Sequence, residues 1–157
     1  EYGKKTHIPI DVNITFEQNY GLIDGDSASS AELYALLSEL SDVPVNQGIA
    51  VTGSMNQFGK IQPIGGVNEK IEGFYYVCKE SDQGLTGTQG VMIPSQNRNE
   101  LMIDPEIVEA TRLGLFHIYA ISSVSHGMEI LTGKRYDGQD GDSIRSQVDR
   151  RIRECVL

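Results

Sequence analysis

The sequence predicts a mixed α/β domain in which short strands and one hairpin alternate with helices. Apolar residues recur with helical spacing in several segments, as in the leucines of residues 27–41. Short apolar runs bounded by turn residues, such as GVMIP at 90–94, are typical of buried strands. Two further runs, GIAVTGS and KIQPI, are separated only by MNQFG, which indicates a hairpin.

Periodicity and breaker residues assign each element in turn. Residues 6–17 alternate between apolar and polar side chains, which favours a half-buried strand, and a proline stands in the first turn of the helix predicted over 104–114. The predicted order is strand 6–17, helix 27–41, strand 48–54, turn 55–59, strand 60–64, helix 67–79, strand 90–94, helix 104–114, strand 115–121, helix 123–133, and a last helix carrying Ile144, Val148, Ile152 and Val156. In the helix at 67–79 the expected apolar stripe is Val67, Ile71, Phe74 and Cys78.

The length of 157 residues suits one domain, so we expect residues 1–157 to form a single unit. The acidic, glycine-containing segment 136–142 predicts a flexible connector to the C-terminal helix. Because the chain starts at Glu1 without an initiator methionine, we expect an N-terminally truncated fragment of a longer protein.

Charge and cysteine content exclude several classes of function. The formal net charge of −9 argues against non-specific nucleic-acid binding, and no apolar run reaches the length that a membrane span needs. Cys78 and Cys155 stand far apart in predicted helices, which favours buried or free thiols in a reducing compartment over a disulfide framework.

Common cofactor and catalytic motifs are missing from the sequence. Gly59-Lys60 is followed by Ile61 and not by Ser or Thr, so it is no phosphate-binding loop. The histidines at 7, 117 and 126 lack the spacing of metal ligands and offer little material for a Ser-His-Asp triad. We therefore expect neither a metal nor a bound cofactor in this domain.

One serine and one lysine remain as candidates. Ser27, Ser29 and Ser30 stand where a helix begins, and each could be an ordinary capping residue or a nucleophile. Lys70 lies in the first turns of a predicted helix, where the helix dipole disfavours a cation. It would share a face with Gly73, Phe74 and Val77, which would further disfavour its charged form, although the pattern taken alone favours a solvated lysine. A neutral lysine can act as a general base for a serine.

Four segments together resemble the Lon (protease La) proteolytic domain. Asp24-Gly25-Asp26-Ser27-Ala28-Ser29 is similar to that family's nucleophile motif D-G-P-S-A-G, and Ile64-Gly65-Gly66-Val67-Asn68-Glu69-Lys70 is similar to its lysine motif I-G-G-x-x-E-K. Ala50-Val51-Thr52-Gly53 and Gly90-Val91-Met92-Ile93-Pro94 resemble its flanking strands. The resemblance runs from about His7 to Gly133, and it departs from the usual motif at Asp26, Ser29 and Ser54, which indicates a divergent branch.

The resemblance implies a Lon-type proteolytic fold and a serine endopeptidase with a Ser27–Lys70 dyad. Thr52 would orient Lys70 by a hydrogen bond. Asp24 would position the dyad, shape the substrate loop or serve only as a turn residue. The loop at Gly25 and Asp26 would lie beside the oxyanion or the substrate.

The resemblance also implies ATP-dependent degradation of unfolded or regulatory proteins in the cytoplasm. The chain would act within a homo-hexamer, and ATP and magnesium would bind a separate AAA+ module. Two other functions stay open: a catalytically silent assembly platform beside an ATPase, and a small-molecule transferase or kinase.

Overall fold

The computed structural model describes residues 10–16, 25–138 and 141–155. Its elements are α1 (Ser29–Ser41), β1 (Ile49–Val51), β2 (Ser54–Met55), β3 (Ile61–Gln62), α2 (Val67–Glu80), β4 (Gly90–Pro94), a 3₁₀ turn (Ser95–Glu100), α3 (Pro105–Arg112), β5 (His117–Ile121), α4 (Val124–Thr132) and α5 (Ile144–Glu154). These helices and short strands confirm the mixed α/β fold.

A parallel sheet in the order β1-β4-β5 forms the centre of the fold. Ile49 pairs with Gly90 in one ladder, and Gly90 pairs with His117 in the next. All five residues of β4 are buried, as expected for a central parallel strand covered on both faces. Helix α2 lies in the connection from β1 to β4 and α3 in that from β4 to β5, because parallel neighbours need long crossovers.

Two apolar clusters cover the two faces of this sheet. Met92 points into one cluster, which α1, α4 and α5 complete, whereas Val91 and Ile93 point into the other, which α2 and α3 complete. This division follows from the alternation of side chains along β4. Helix α5 packs against α1 through buried Ile144, Val148 and Ile152, so the predicted docking of the last helix is confirmed up to residue 155.

The predicted strand at 48–54 is two strands. β1 joins the parallel sheet, while β2 pairs antiparallel with β3 to form the hairpin. Thr52 and Gly53 separate them, and Gly53 has φ +156°, a conformation that L side chains rarely adopt. The hairpin prediction is therefore confirmed, but its first strand begins after the break.

The predicted strand at 6–17 is wrong for residues 10–16, and its remaining residues lie outside the described part of the chain. Residues 10–16 belong to no strand or helix, and Val12, Ile14 and Phe16 are exposed. A segment with alternating apolar and polar side chains forms a strand only when a neighbouring strand is hydrogen-bonded to it. The described strand pairs do not include this segment.

The buried stripe of α2 differs from the prediction at one position. The buried face of α2 consists of Val67, Ile71, Tyr75 and Cys78, so Tyr75 takes the place predicted for Phe74.

Tyr136, in the predicted connector, is buried, and its N–H donates to Glu129 Oε1 at 2.9 Å. Cys78 and Cys155 are free cysteines. Among the described helices, none combines the length and apolar character needed to cross a membrane.

Candidate active site

Ser27 lies in the turn that leads into α1. The helix begins at Ser29 with Ala28 as its N-cap, so Ser29 and Ser30 belong to the first helical turn as predicted, whereas Ser27 precedes the helix. The Ser27 carbonyl accepts a hydrogen bond from the Gly53 N–H at 2.8 Å and another from Thr52 Oγ1 at 3.3 Å. These bonds hold the candidate nucleophile on the chain segment that follows β1.

The backbone conformation of Gly53 allows this close approach. A Cβ at this position would lie 3.2 Å from Ile61 Cγ2 and 3.3 Å from Ser30 Oγ. The Gly53 carbonyl also accepts from the Ser30 N–H at 3.1 Å. The start of α1 and the end of β1 are thus joined by reciprocal backbone hydrogen bonds through a residue without a side chain.

The Lys70 side chain extends from α2 to Ser27. It lies in the first turn of α2, which begins after Gly66, a residue in the left-handed region with φ +68°. Lys70 Nζ lies 2.9 Å from Ser27 Oγ and 3.3 Å from Thr52 Oγ1. The structure therefore brings together, within hydrogen-bond distance, the serine and the lysine that the sequence singled out.

The surroundings of Lys70 differ from the sequence prediction. Lys70, Gly73 and Val77 lie on an exposed face of α2, and Val77 is 66% exposed. The expected apolar environment is wrong for this face, because the buried stripe of α2 runs along Val67, Ile71 and Tyr75 instead. Lys70 stands at the rim of the site, where its amine can meet both solvent and a substrate.

Thr52 is buried next to this pair and is hydrogen-bonded to the central sheet. It is 7% exposed, and its N–H donates to the Met92 carbonyl at 3.0 Å, which continues the pairing between β1 and β4. Its Oγ1 lies between Lys70 Nζ and the Ser27 carbonyl. The predicted supporting residue therefore touches both members of the pair.

An open groove and a smaller depression meet at the pair. Gly25, Asp26, Pro63, Ile64, Gly65, Asn97 and Glu100 line the groove together with Ser27 and Lys70. Ala28, Ala50, Val51, Thr52 and Val91 line the depression with the same pair. The predicted loop residues Gly25 and Asp26 are exposed at the groove, and Asp24 lies outside the described residues.

Asn97 is a groove residue that the sequence prediction missed. It is 1% exposed and lies in the 3₁₀ turn directly after β4. A polar side chain just beyond the carboxyl end of a buried parallel strand is a signal that could have identified it, since ligand sites in open α/β sheets gather at these ends.

No cluster of three or more His, Cys, Asp or Glu side chains within the described ranges could hold a metal ion. The groove offers the Ser27 hydroxyl and the Lys70 amine, with the carboxylates of Asp26 and Glu100 in its lining. An amine within reach of a hydroxyl can take its proton, which is the arrangement needed for nucleophilic attack.

Comparison with known proteins indicates the same family that the sequence motifs resemble. Residues 4–131 match the family model described as the Lon protease (S16) C-terminal proteolytic domain. Two curated relatives named "Putative Lon protease homolog" are similar to this chain. The one from Escherichia coli (strain K12) is 47% identical over 99% of the chain, and the one from Haemophilus influenzae is 40% identical over 94%. An archaeal Lon protease from Thermococcus kodakarensis is 31% identical over 93% of the chain.

The chain spans about a quarter of the length of the first two relatives, 26% and 25%, and 20% of the archaeal protein. The match to the family model includes β1, α2, β4 and the turn that carries Ser27. The chain belongs to the Lon protease (S16) C-terminal proteolytic domain family.

Proposed function

We propose that this chain is the proteolytic part of a serine endopeptidase in which Ser27 is the nucleophile and Lys70 the general base. The observation that carries the proposal is the 2.9 Å distance between Lys70 Nζ and Ser27 Oγ. A candidate base must lie within hydrogen-bond reach of the proton that it removes, and this pair meets that condition.

The reaction would proceed through an acyl-enzyme. Neutral Lys70 takes the proton of Ser27 while Oγ attacks the scissile carbonyl carbon, and the resulting ammonium returns a proton to the leaving amine. Water then attacks the ester while Lys70 accepts its proton, and the ammonium returns that proton to Ser27 Oγ as the carboxylic acid product leaves. Thr52 Oγ1, at 3.3 Å from Nζ, keeps the amine directed at Ser27.

The oxyanion donors would be backbone N–H groups of the loop at 25–28. The N–H groups of Ser29 and Ser30 already donate to the carbonyls of Asp26 and Gly53, at 3.1 Å each. The donors therefore have to come from the residues just before them, including the nucleophile itself, as in other serine hydrolases.

The substrates, the assembly and the energy source belong to the same proposal. We expect unfolded or regulatory proteins as substrates, a homo-hexamer in the full-length protein, and a cytoplasmic location. ATP and magnesium would bind a separate AAA+ module, because no segment of this sequence has the pattern of a phosphate-binding loop. Calorimetry of this chain with magnesium and ATP should accordingly show no binding, and a micromolar affinity would contradict this division of labour.

Proteolysis of an unfolded protein by the full-length enzyme tests the proposal. Ser27→Ala should abolish cleavage, whereas Ser29→Ala, in the first turn of α1, should keep most of it. Circular dichroism spectra should show that both variants fold. Cleavage by Ser27→Ala at the parent rate would overturn the assignment of Ser27 as nucleophile, whereas no cleavage by the parent enzyme would favour the assembly-platform function instead.

A further inference from the structure

Asn97 makes three hydrogen bonds although it stands beside an open groove. Its Oδ1 accepts from the Ile64 N–H at 3.0 Å, and its Nδ2 donates to the Ile64 carbonyl at 2.9 Å. Nδ2 also donates to Glu100 Oε2 at 2.8 Å. The side-chain amide thus offers Ile64 the donor and acceptor that a neighbouring strand would offer.

These partners determine the orientation of the amide. With the oxygen and nitrogen exchanged, the amide oxygen would face both the Ile64 carbonyl and the Glu100 carboxylate, and the NH₂ group would face the Ile64 N–H. Each of the three contacts would then place a donor against a donor or an acceptor against an acceptor. A buried amide with both protons and its oxygen engaged is held rigidly, since losing any partner would leave a polar group unsatisfied.

Ile64 stands immediately before the turn that starts the lysine helix. Gly65 and Gly66 follow it, and α2 begins at Val67. Two successive glycines give the backbone wide freedom, so the direction of α2 depends on what fixes the chain on either side of them. Asn97 fixes the chain before the turn.

Asn68 fixes the chain after the turn. Its Nδ2 donates to the Glu100 carbonyl at 3.2 Å, and its Oδ1 accepts from the Met102 N–H at 2.9 Å. Asn97 and Asn68 therefore tie the two ends of the turn to the same segment after β4. The other member of the dyad is fixed to β4 as well, through Thr52 and its bond to the Met92 carbonyl.

We propose that Asn97 is a positioning residue for the dyad: by clamping the backbone of Ile64 it sets the start of α2 so that Lys70 Nζ meets Ser27 Oγ. This inference rests on the proposed function. Misplacing a reacting group by about 1 Å can lower a rate by about 10²-fold, so such a clamp affects the chemical step more than the affinity for substrate.

The test is Asn97→Asp in the full-length enzyme, measured with a short peptide substrate. The aspartate keeps the size and one acceptor but loses both donors, and it faces Glu100 as a second carboxylate. We expect kcat to fall by about 10- to 100-fold while KM changes by less than about threefold. Asn99→Asp makes the same chemical change at an exposed position outside these hydrogen bonds, and it should keep the parent kcat.

A second-site rescue separates positioning from general loss of stability. In Asn97→Asp/Glu100→Gln the amide of the new glutamine can donate to the aspartate, so kcat should recover at least about threefold over the single variant. Should Asn97→Asp fail to fold, Asn97→Ser removes the whole amide, both donors and the acceptor, without adding charge and is measured in the same way.

The outcomes distinguish the two proposals. A kcat equal to the parent's in the folded Asn97 variant, or a loss fully accounted for by its unfolded fraction in thermal melts, overturns the positioning role. A double variant that is no faster than Asn97→Asp also overturns it. If Ser27→Ala, measured in parallel, cleaved the peptide at the parent rate, the proposed function would fail, and the positioning role would fail with it because no dyad would remain to be positioned.

Discussion

The Gly53 N–H donates to the Ser27 carbonyl at 2.8 Å, and the Gly53 carbonyl accepts from the Ser30 N–H at 3.1 Å. The loop of the candidate nucleophile and the end of β1 are therefore one hydrogen-bonded unit. Since β1 pairs with β4, the position of Ser27 depends on the central sheet and not on its own loop alone.

Gly53→Ala should damage this unit. The added methyl group would meet Ile61 Cγ2 at 3.2 Å, and φ +156° is unfavourable for alanine. We expect a loss of about 1–3 kcal/mol in the free energy of unfolding, measured with urea, together with loss of peptide cleavage.

Gly73→Ala is the matched control for that substitution. Gly73 lies inside α2, where nothing stands within 4 Å of an added Cβ. Alanine should stabilise the helix by up to about 1 kcal/mol. Equal effects of the two substitutions would contradict the special role of Gly53.

Lys70→Arg should inactivate the enzyme without unfolding it. Arginine keeps the positive charge and much of the length, but it does not deprotonate in proteins and so cannot act as a base. The rate of peptide cleavage should fall by about 10²–10⁴-fold, the usual contribution of a positioned acid or base.

Lys79→Arg is the control on the same helix. Lys79 is half exposed and pairs with Glu106, an interaction that arginine can maintain. This variant should cleave at the parent rate. Retention of more than about a tenth of the activity by Lys70→Arg would show that the lysine is structural.

Asp26→Asn should accelerate cleavage. Asp26 lies next to Ser27 at the groove, and its carboxylate opposes the negative charge that develops on the substrate oxygen. One exposed charge at this range is worth about 1 kcal/mol or less in water, so kcat should rise by about two- to fivefold. The gain should shrink as salt is added, because screening weakens the repulsion. Asp82→Asn, at an exposed position away from the groove, should leave kcat unchanged, and a slower Asp26→Asn enzyme would contradict the electrostatic argument.

The two cysteines should differ in reactivity. Burial raises the pKa of the Cys78 thiol, so less thiolate is present at a given pH, and the side chain is also shielded from reagents. Cys155 is exposed. At neutral pH a maleimide should label Cys155 quickly and Cys78 only after unfolding, as peptide mass mapping can establish. Rapid labelling of Cys78 in the folded protein would contradict its placement in the core.

Elements defined by their own side-chain pattern were predictable from the sequence. The apolar run of β4 and the helical spacing of α2 both matched the structure closely, because burial of these residues dominates their conformation. The strand expected at 6–17 depended on a partner that its sequence does not encode, and Val12, Ile14 and Phe16 are exposed in the structure. The break at Gly53 was equally hidden, since Gly53 is held by backbone hydrogen bonds with Ser27 and Ser30 rather than by β1 itself.

The residues of the candidate site that lie in short sequence motifs could be predicted from the sequence. Ser27 and Lys70 stand in motifs that resemble those of one family, and the structure brings them together. The exposed face of Lys70 was not foreseen, because Val77, which was expected to give the lysine an apolar neighbour, is 66% exposed. Asn97 was missed because its burial arises only when the turn after β4 folds back onto Ile64.

Covalent labelling with a serine-directed fluorophosphonate, followed by peptide mass mapping, can show whether Ser27 and Lys70 act as a dyad. We expect one adduct on Ser27 in the parent enzyme, no adduct there in Ser27→Ala, and labelling at least about 10²-fold slower in folded Lys70→Arg. An adduct on a different serine of the parent enzyme, or equal labelling rates for the parent and Lys70→Arg, would contradict the claim that Ser27 and Lys70 act as a dyad.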